Sequence, residues 1–357
     1  MPEDRSATSF AERAFQSTLS RDALRIDPAR TAAEIEDAIR EIVFHRLRRR
    51  GVVLGLSGGV DSSTVAALCA RALGPNRVLG LFMPEAECSP DCLRLGRLAA
   101  AACGIEAKTE DITATLEAAG CYRRRDTTIR DLLPEYNPSY KCKLVLSNVV
   151  GGAAYPLFSL VVEAPDGTVR NLRLTAEAYL GIVAAMNFKQ RTRKMMEYYY
   201  ADLLHSAVAG TPNLLEYDQG FFVKCGDGAA DLKPIAHLYK TQIYQLAEYL
   251  GVPEEIRRRP PSTDTYSMEQ SQQEFFFSLP HETMDLCLWA RNHDMPPSAL
   301  VTLGLTEEQA TRALWMIDSK RAATRYLHLH PLRVTDLREL SGSATSAVAG
   351  NWPAGLS

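Results

Sequence analysis

Short continuous apolar runs alternate with amphipathic segments along the first third of the chain. The run at residues 52–56 is typical of a strand buried in a parallel sheet, and residues 77–83 and 104–112 predict a second and a third strand. Three segments with an apolar face at the helical period predict helices: residues 31–49, capped by Thr31, residues 64–71 and residues 92–103. Because strands and helices alternate at this spacing, the pattern favours a doubly wound parallel sheet.

This alternation lapses between about residues 113 and 185. Two strand-like runs, 155–163 and 168–174, flank a Pro165-Asp166-Gly167 turn, so the sequence predicts a β-hairpin inserted in the α/β fold. Basic residues at 123–130 and 141–143 precede the hairpin. They contact an anionic substrate or coat the surface of the insertion, and the sequence leaves both interpretations open.

The pattern after the insertion predicts one more helix and strand of the sheet, followed by a helical C-terminal part. Residues 187–202 predict the helix and residues 207–210 the short strand. Further helices are predicted at residues 239–250, 281–293 and 307–317. His328 and His330 alternate with leucines, which predicts a strand with both imidazoles on one face. The predicted fold is therefore α/β, with a Rossmann-like parallel sheet, an inserted β-hairpin region and a C-terminal helical segment.

Composition indicates a globular enzyme rather than a nucleic-acid-binding or membrane protein. The 357 residues include 40 Lys and Arg against 43 Asp and Glu, and no apolar run reaches membrane-spanning length. The N-terminus lacks a signal-peptide pattern, so we expect a cytoplasmic protein with neither nucleic acid nor membrane as a partner. The sequence predicts one domain over residues 21–335, between disordered segments at 1–20 and 341–357.

The strand at 52–56 ends in a glycine-rich turn that opens a helix, Ser-Gly-Gly-Val-Asp-Ser-Ser at 57–63. Such a turn presents free backbone N–H groups and the positive end of a helix to a phosphate, and the serine hydroxyls add donors. A carboxylate at Asp61 would repel phosphate unless a cation lies between them, so Asp61 is predicted to bind Mg²⁺. The alternative is an ordinary tight turn with an Asp in the first helical turn.

The turn is neither a Walker loop, which needs Gly-Lys-Ser/Thr, nor a Gly-x-Gly-x-x-Gly dinucleotide fingerprint. It resembles the pyrophosphate loop of the ATP pyrophosphatase enzymes, in the adenine nucleotide alpha-hydrolase-like superfamily. These include NAD synthases, GMP synthases, asparagine synthases and tRNA-modifying thiolases. They adenylate a substrate oxygen and release pyrophosphate, and a nitrogen or sulfur nucleophile then displaces AMP. The resemblance implies a sheet of the ATP pyrophosphatase type and ATP as a cofactor.

Later motifs are similar to those of NAD synthases. They are Asn-x-x-x-Arg-x-Arg at 187–193, Gly210-Thr211 followed by Glu216, Gly-Phe-Phe-x-Lys-x-Gly-Asp-Gly-x-x-Asp-Leu-x-Pro at 220–234, and Leu-x-Lys-Thr-Gln at 238–242. Residues 261–264 and 269–274 resemble the mobile loop that covers the active site of the family, and 319–321 its late basic motif. The resemblance covers about residues 30–112 and 187–335.

The resemblance assigns a role to individual residues. Asp61 and Glu216 would share a Mg²⁺ ion on the triphosphate, and Lys240 would neutralise charge as pyrophosphate leaves. The implied ATP-binding residues are Ser57, Gly58, Gly59, Val60, Asp61, Ser62, Ser63, Thr211, Lys240 and Ser262. The implied deamido-NAD-binding residues are Arg191, Lys224, Asp231, Ser319 and Lys320. For Lys224 and Asp231 a structural salt bridge is the alternative.

The implied reaction is amidation of deamido-NAD by ammonia through an acyl-adenylate, in a homodimer. The chain shows no resemblance to a glutaminase, so ammonia would be free or would come from a separate glutaminase. The insertion at about 113–185, Gln272 and the aromatic residues 275–277 depart from the family pattern near the acceptor. They favour, as the alternative, amidation of another carboxylate such as a sugar acid. The balanced charge disfavours tRNA modification, and the full set of implied catalytic residues disfavours nucleotide sensing without catalysis.

Overall fold

The computed structural model describes residues 19–147, 157–261, 265–277 and 279–332. The predicted disordered segment at 341–357 and most of that at 1–20 lie outside these residues. Leu19, where the described chain begins, is already buried and packs in the C-terminal helical part. Within the described ranges, no helix is both long enough and apolar enough to cross a membrane.

The strands form two sheets. They are β1 (Val52–Gly55), β2 (Val78–Phe82), β3 (Glu106–Thr109), β4 (Lys141–Leu146), β5 (Phe158–Glu163), β6 (Val169–Arg173) and β7 (Ala207–Val208). A parallel sheet has the order β3-β2-β1-β7, and a smaller antiparallel sheet has the order β4-β5-β6. The predicted parallel sheet and the predicted β5–β6 hairpin are therefore confirmed. Strand β4 was not predicted.

The helices cover both faces of the parallel sheet and form the C-terminal part. They are α1 (Pro28–Arg40), α2 (Val60–Leu73), α3 (Pro90–Cys103), α4 (Thr113–Ala118), α5 (Cys121–Arg130), α6 (Ala176–Leu204), α7 (Leu214–Asp218), α8 (Lys240–Tyr249), α9 (Glu254–Arg258), α10 (His281–Asn292), α11 (Ser298–Val301) and α12 (Glu307–Thr324). Alternate residues of β1 point to opposite faces, as expected for a strand. Val52 and Leu54 pack with α1, α2 and α8, whereas Val53 packs with α4 and α6.

Several predicted boundaries are wrong. Helix α1 begins before Thr31, because Pro28 fits the first helical turn and Asp27 accepts hydrogen bonds from Ala29 N and Arg30 N at 3.1 and 3.2 Å. Helix α2 begins at Val60 rather than at residue 64. Helix α6 begins at Ala176, and α12 extends to Thr324. The predicted histidine strand is a 3-10 turn, Arg325–His328, in which the His328 ring packs edge-on against Tyr217 and Phe222.

The inserted sheet packs against the N-terminal half of α6. Its buried face consists of alternate residues of β4 and β5, and it meets Ile129 of α5 and Ile182 and Met186 of α6. That face comprises Cys142, Leu144, Leu160 and Val162. The insertion lies beside the carboxyl end of the parallel sheet, because Phe158 of β5 lines the same cavity as Gly55 of β1 and Phe82 of β2.

Candidate active site

The turn between β1 and α2 lies at the carboxyl edge of the parallel sheet. Strand β1 is flanked by β2 on one side and β7 on the other, so this edge is the topological switch point at which α/β sheets bind ligands. Gly58 has a φ of +77°, and a Cβ atom there would lie 2.7 Å from the Leu95 Cβ and 2.8 Å from the Cys92 carbonyl oxygen. A side chain at position 58 is therefore excluded both by backbone conformation and by the approach of α3.

The hydroxyl groups of the turn are already arranged by local hydrogen bonds. Ser62 Oγ and Ser63 Oγ donate to the Gly59 carbonyl oxygen at 3.1 and 2.8 Å. Ser57 Oγ accepts from Gly59 N at 3.3 Å and lies 3.2 Å from Ser62 Oγ. These bonds fix the turn in a conformation that leaves the N-terminal end of α2 facing the cavity described below.

Three predicted catalytic residues meet beside this turn. Asp61, in the first turn of α2, forms an ion pair with Lys240, the first residue of α8. Lys240 is only 2% exposed. Asn213 Nδ2 donates to the other oxygen of Asp61 at 3.3 Å. Burial on its own lowers the pKa of Lys240, but the Asp61 and Glu216 carboxylates outweigh it and raise that pKa above its ordinary value. Lys240 is therefore a fixed, buried cation.

Glu216 completes this cluster from the short helix α7. It forms a capping box with Asn213, in which Glu216 Oε2 accepts from Asn213 N at 3.2 Å and Glu216 N donates to Asn213 Oδ1 at 3.0 Å. Gln272 Nε2 donates to Glu216 Oε1 at 2.8 Å. Burial, followed by the neighbouring charge of Asp61, raises the pKa of Glu216 to about 7.

We expect Glu216→Gln to raise the melting temperature of the metal-free protein more at pH 8 than at pH 5. The pKa of Glu216 is higher in the folded protein than in the unfolded chain, so the folded state loses stability as the pH rises toward about 7. A glutamine has nearly the same shape and does not ionise. Thermal denaturation of both proteins in EDTA measures the difference. An equal change at the two pH values would contradict the raised pKa.

The cluster opens into a cavity of about 580 Å³ at the carboxyl ends of β1 and β2. Most residues predicted to bind ATP or deamido-NAD line it. They are Ser57, Gly59, Val60, Asp61, Ser62, Arg191, Thr211, Glu216, Lys224 and Lys240. Two carboxylates and a buried cation at the edge of this glycine-rich turn fit a magnesium–phosphate complex, because Mg²⁺ is usually held by one or two carboxylates together with substrate phosphates.

Two residues of the turn do not line this cavity. Gly58 supplies its sharp bend, and Ser63 borders a separate small cavity of about 170 Å³ between α2 and α3. Ser262 lies outside the described residues. Ser63 is therefore placed to stabilise the turn through Gly59 rather than to face the cavity.

Asp231, Ser319 and Lys320, three predicted deamido-NAD residues, also lie off the cavity lining. Asp231 Oδ2 accepts from Val208 N at 2.7 Å, so its carboxylate binds the backbone of β7. Ser319 and Lys320 lie on α12, where Lys320 Nζ donates to the Phe276 carbonyl oxygen and lies 4.0 Å from the Phe276 ring centroid. Burial lowers the pKa of Lys320 to about 7. The Lys320 ammonium group is therefore bound to a neighbouring segment and the Asp231 carboxylate to β7, although Asp231 is exposed to solvent and Ser319 is partly exposed.

Lys224 does line the cavity, and its ammonium group binds the C-terminal part of the chain. Lys224 Nζ donates to the Tyr326 carbonyl oxygen at 2.8 Å and lies 5.4 Å from the Tyr326 ring centroid. The structure therefore does not contain the salt bridge between Lys224 and Asp231 that the sequence left as the alternative.

The cavity contains an ion pair that the sequence analysis did not assign. Lys194 Nζ and Glu197 Oε2 of α6 lie 2.6 Å apart, and both side chains are less than a tenth exposed. A Cβ atom at Gly55 would lie 3.2 Å from Glu197 Oε1, so the end of β1 approaches this carboxylate closely. Burial, the largest effect, raises the pKa of Glu197. The sequence signal was the spacing of Arg191 and Lys194, one turn apart on a helix.

Known proteins resemble this chain both in sequence and in structure. A sequence profile of the NAD synthase family matches residues 31–135 and 166–324. The chain is 57% identical over 322 residues to an NH(3)-dependent NAD(+) synthetase of Rhizobium rhizogenes, covering 90% of this chain and 97% of the relative. An NH(3)-dependent NAD(+) synthetase of Thermotoga neapolitana is 38% identical over 216 residues, covering 60% of this chain and 69% of that protein.

Among solved structures, an NH3-dependent NAD synthetase of Campylobacter jejuni superposes with a TM-score of 0.56 at 23% identity, covering 87% of this chain and 100% of that chain. An NMN synthetase of Francisella tularensis superposes with a TM-score of 0.58 at 19% identity, covering 87% of this chain and 99% of that one. At these identities the structures establish the shared fold, which confirms the predicted fold class.

Proposed function

The chain belongs to the NAD synthase family, and from this membership we propose that it uses ATP to join ammonia to the carboxylate of deamido-NAD. As a member of this family it is a ligase that forms a carbon–nitrogen bond. The observation that carries the proposal is the buried cluster of Asp61, Glu216 and Lys240 at the edge of the glycine-rich turn.

The proposed reaction has two steps. A carboxylate oxygen of deamido-NAD attacks the α-phosphorus of ATP, the bond from that phosphorus to the bridging oxygen breaks, and pyrophosphate leaves. Ammonia then attacks the acyl carbon and loses a proton, and AMP leaves with the electrons of the broken carbon–oxygen bond. Both atoms and electrons balance without a covalent intermediate on the enzyme.

The residues at this site stabilise different parts of the negative charge on ATP and pyrophosphate. The N–H groups at the start of α2 bind phosphate oxygens, and Lys240 stabilises the negative charge that accumulates on the leaving pyrophosphate. Asp61 and Glu216 would hold Mg²⁺, which when bound neutralises the triphosphate and polarises its oxygens. Lys240 pairs with Asp61 in the structure, and we infer that nucleotide binding transfers Lys240 from the carboxylate to a phosphate.

The test of the function is formation of NAD, AMP and pyrophosphate from ATP, Mg²⁺, ammonium and deamido-NAD. We expect all three products in equal amounts, and none of them when deamido-NAD is omitted. A panel of other carboxylates, including sugar acids, is the comparison. Products with one of these and not with deamido-NAD would contradict the proposal. Activity with ammonium alone distinguishes free ammonia from ammonia supplied by a separate glutaminase.

We also propose that two copies of the chain associate through the exposed face of α6. Met195, Tyr199 and Leu203 recur every four residues on this helix and are 54%, 56% and 63% exposed, so they form an apolar stripe. The stripe lies on the same helix as Arg191, which lines the cavity. The proposed partner is a second copy of this chain, because the resemblance to NAD synthases implies a homodimer.

Tyr199→Glu is expected to convert a dimer to a monomer, because it places a charge in the middle of this stripe. Light scattering coupled to size-exclusion chromatography measures the mass, and Leu180→Glu is the matched control. Leu180 lies on the same helix and is 62% exposed, well away from the stripe. A monomeric wild-type protein, or a dimer that survives Tyr199→Glu, would contradict this interface.

A further inference from the structure

We propose that the inserted sheet is a positioning element for the Glu216 carboxylate, acting through Gln272. This inference rests on the proposed function, because it treats Glu216 as a ligand of Mg²⁺. It assigns a role to a part of the chain that the family profile does not match. The profile omits residues 136–165, which contain β4 and β5, so these two strands lie outside the part of the chain that the family profile matches.

Strand β4 contacts a segment that follows it much later in the chain. One edge of β4 pairs with β5, and the other edge binds residues 267–270. Met268 N donates to the Cys142 carbonyl oxygen at 3.3 Å, and Cys142 N donates to Ser267 Oγ at 2.9 Å. The Gln270 side chain donates to the Leu144 carbonyl oxygen. Three backbone groups of this edge, Cys142 N, Cys142 O and Leu144 O, therefore bind residues 267–270.

The Lys143 side chain of β4 also binds this segment, at residues 269 and 274. Lys143 Nζ lies 2.8 Å from Glu274 Oε1 and donates to the Glu269 carbonyl oxygen at 3.2 Å. The Lys143 and Glu274 side chains are 16% and 35% exposed, so the pair is partly shielded from water. Gln272 lies between residues 269 and 274, and both of these are bound by Lys143. The lysine therefore fixes the short stretch that carries Gln272.

The start of the segment is anchored independently of β4. Lys189 is fully buried, and its Nζ donates to the Thr265 carbonyl oxygen at 2.9 Å. The same ammonium group pairs with Glu85 at 2.9 Å and with Glu87 at 2.7 Å. Because Lys189 belongs to α6 and Glu85 follows β2, this network ties the segment to the parallel sheet. The segment is thus held between the parallel sheet and the inserted sheet.

Gln272 connects the segment held by β4 to Glu216 in the cavity. Its Nε2 donates to Glu216 Oε1 at 2.8 Å, while Asn213 N donates to Glu216 Oε2 at 3.2 Å. One hydrogen bond to each oxygen fixes the plane of the carboxylate and leaves further lone pairs for a cation. Such outer hydrogen bonds orient metal ligands, and their loss typically costs roughly 10–100-fold in metal affinity or activity. Gln272 is therefore a positioning residue, and the inserted sheet holds it in place.

The test is a charge exchange at the Lys143–Glu274 pair. We expect Lys143→Glu and Glu274→Lys each to weaken the binding of Mn²⁺, titrated as a spectroscopic probe in the absence of substrates. Each should also raise the Mg²⁺ concentration that gives half-maximal NAD formation by several-fold, because each creates a like-charge pair and releases the stretch around Gln272. The double variant K143E/E274K restores an opposite pair and is expected to return this concentration to near the wild-type value. Gln272→Leu removes the final hydrogen bond and should raise it on the order of 10-fold.

Lys141→Glu is the matched control. Lys141 lies two residues away on the same strand and is 59% exposed, and it forms a long ion pair of 4.0 Å with Glu163 of the neighbouring strand. We expect its Mg²⁺ requirement to equal that of the wild type. The melting temperature of each variant shows whether it is folded. If Lys143→Glu or Glu274→Lys is unfolded, Gln272→Leu is used as the test in place of these two variants.

Three results would overturn the inference. One is a Mg²⁺ requirement unchanged by both charge variants and by Gln272→Leu. Another is a defect in the single variants that the double variant does not restore. The third is a loss of rate that saturating Mg²⁺ leaves untouched, since that loss would not act through the metal ligand. Each requires a wild-type enzyme that makes NAD, so failure of the proposed function would be seen separately, in the wild type itself.

Discussion

Asp61→Asn is expected to lower kcat roughly 1000-fold while leaving the fold intact. The substitution preserves the size of the side chain but removes the charge that would bind Mg²⁺ and that now pairs with Lys240. Asn213 Nδ2 still finds an acceptor, because the amide of asparagine retains one oxygen. The variant should stay folded with a lower melting temperature, because the buried Lys240 loses its ion-pair partner, and it should bind Mg²⁺ poorly.

The measurement is the steady-state rate of pyrophosphate release over a range of Mg²⁺ concentrations, with the melting temperature as the control for folding. Turnover of Asp61→Asn close to the wild-type rate at saturating Mg²⁺ would contradict the assignment of Asp61 as a metal ligand. The alternative from the sequence, an Asp that merely favours the helix N-terminus, predicts a small change in stability and little change in rate.

Lys240→Met has the second-largest expected effect, and it should change rate and metal binding in opposite directions. Removing the ammonium group is expected to lower kcat by about 100-fold or more, because its charge no longer stabilises the departing pyrophosphate. In the nucleotide-free protein the same change leaves Asp61 and Glu216 without their shared cation. We therefore expect the metal alone to bind more tightly than it does to the wild type.

Stopped-flow measurement of pyrophosphate release and titration with Mn²⁺ as a spectroscopic probe separate these two effects. Lys233→Met is the matched control, because Lys233 is half-buried and lies over the Tyr217 ring rather than on the cavity lining. The KM for deamido-NAD should change little in Lys240→Met. A large rise in that KM with an unchanged rate of pyrophosphate release would place Lys240 in the acceptor site instead.

The parallel sheet was predictable because β1 and β2 are continuous apolar runs between helical segments, and β3, a mostly exposed edge strand, follows the next helix at the same spacing. The position of the glycine-rich turn followed from the same pattern, since it lies where β1 ends. Strand β4 is not evident from the sequence, although its residues alternate in burial, because Lys141 and Lys143 give this segment a basic character that fits either contact with an anionic substrate or a coating of the insertion. Its partners are β5 and residues 267–270, which are distant in sequence, and local pattern does not reveal such pairing.

The site was predictable where a motif dictates the backbone and less so where tertiary packing decides the direction of a side chain. Asp61, Glu216 and Lys240 belong to three segments that are distant in sequence. The resemblance to NAD synthases predicts that they share one site, and the structure shows that they do. Ser63 and Lys320 were grouped by motif with cavity residues, but the rotation of α2 and the packing of α12 turn them elsewhere. From the sequence, Gln272 is only a residue that departs from the NAD synthase pattern. Its role depends on the hydrogen bond to Glu216, which forms only in the folded chain.

The most direct test of the proposed chemistry follows one oxygen atom. Deamido-NAD labelled with ¹⁸O in its nicotinate carboxylate is incubated with the protein, ATP, Mg²⁺ and ammonium, and the products are analysed by mass spectrometry. We predict that one ¹⁸O appears in AMP and none in pyrophosphate, because the carboxylate oxygen becomes bonded to the α-phosphorus. Formation of ADP with ¹⁸O in inorganic phosphate, or AMP without the label, would contradict an acyl-adenylate at this site.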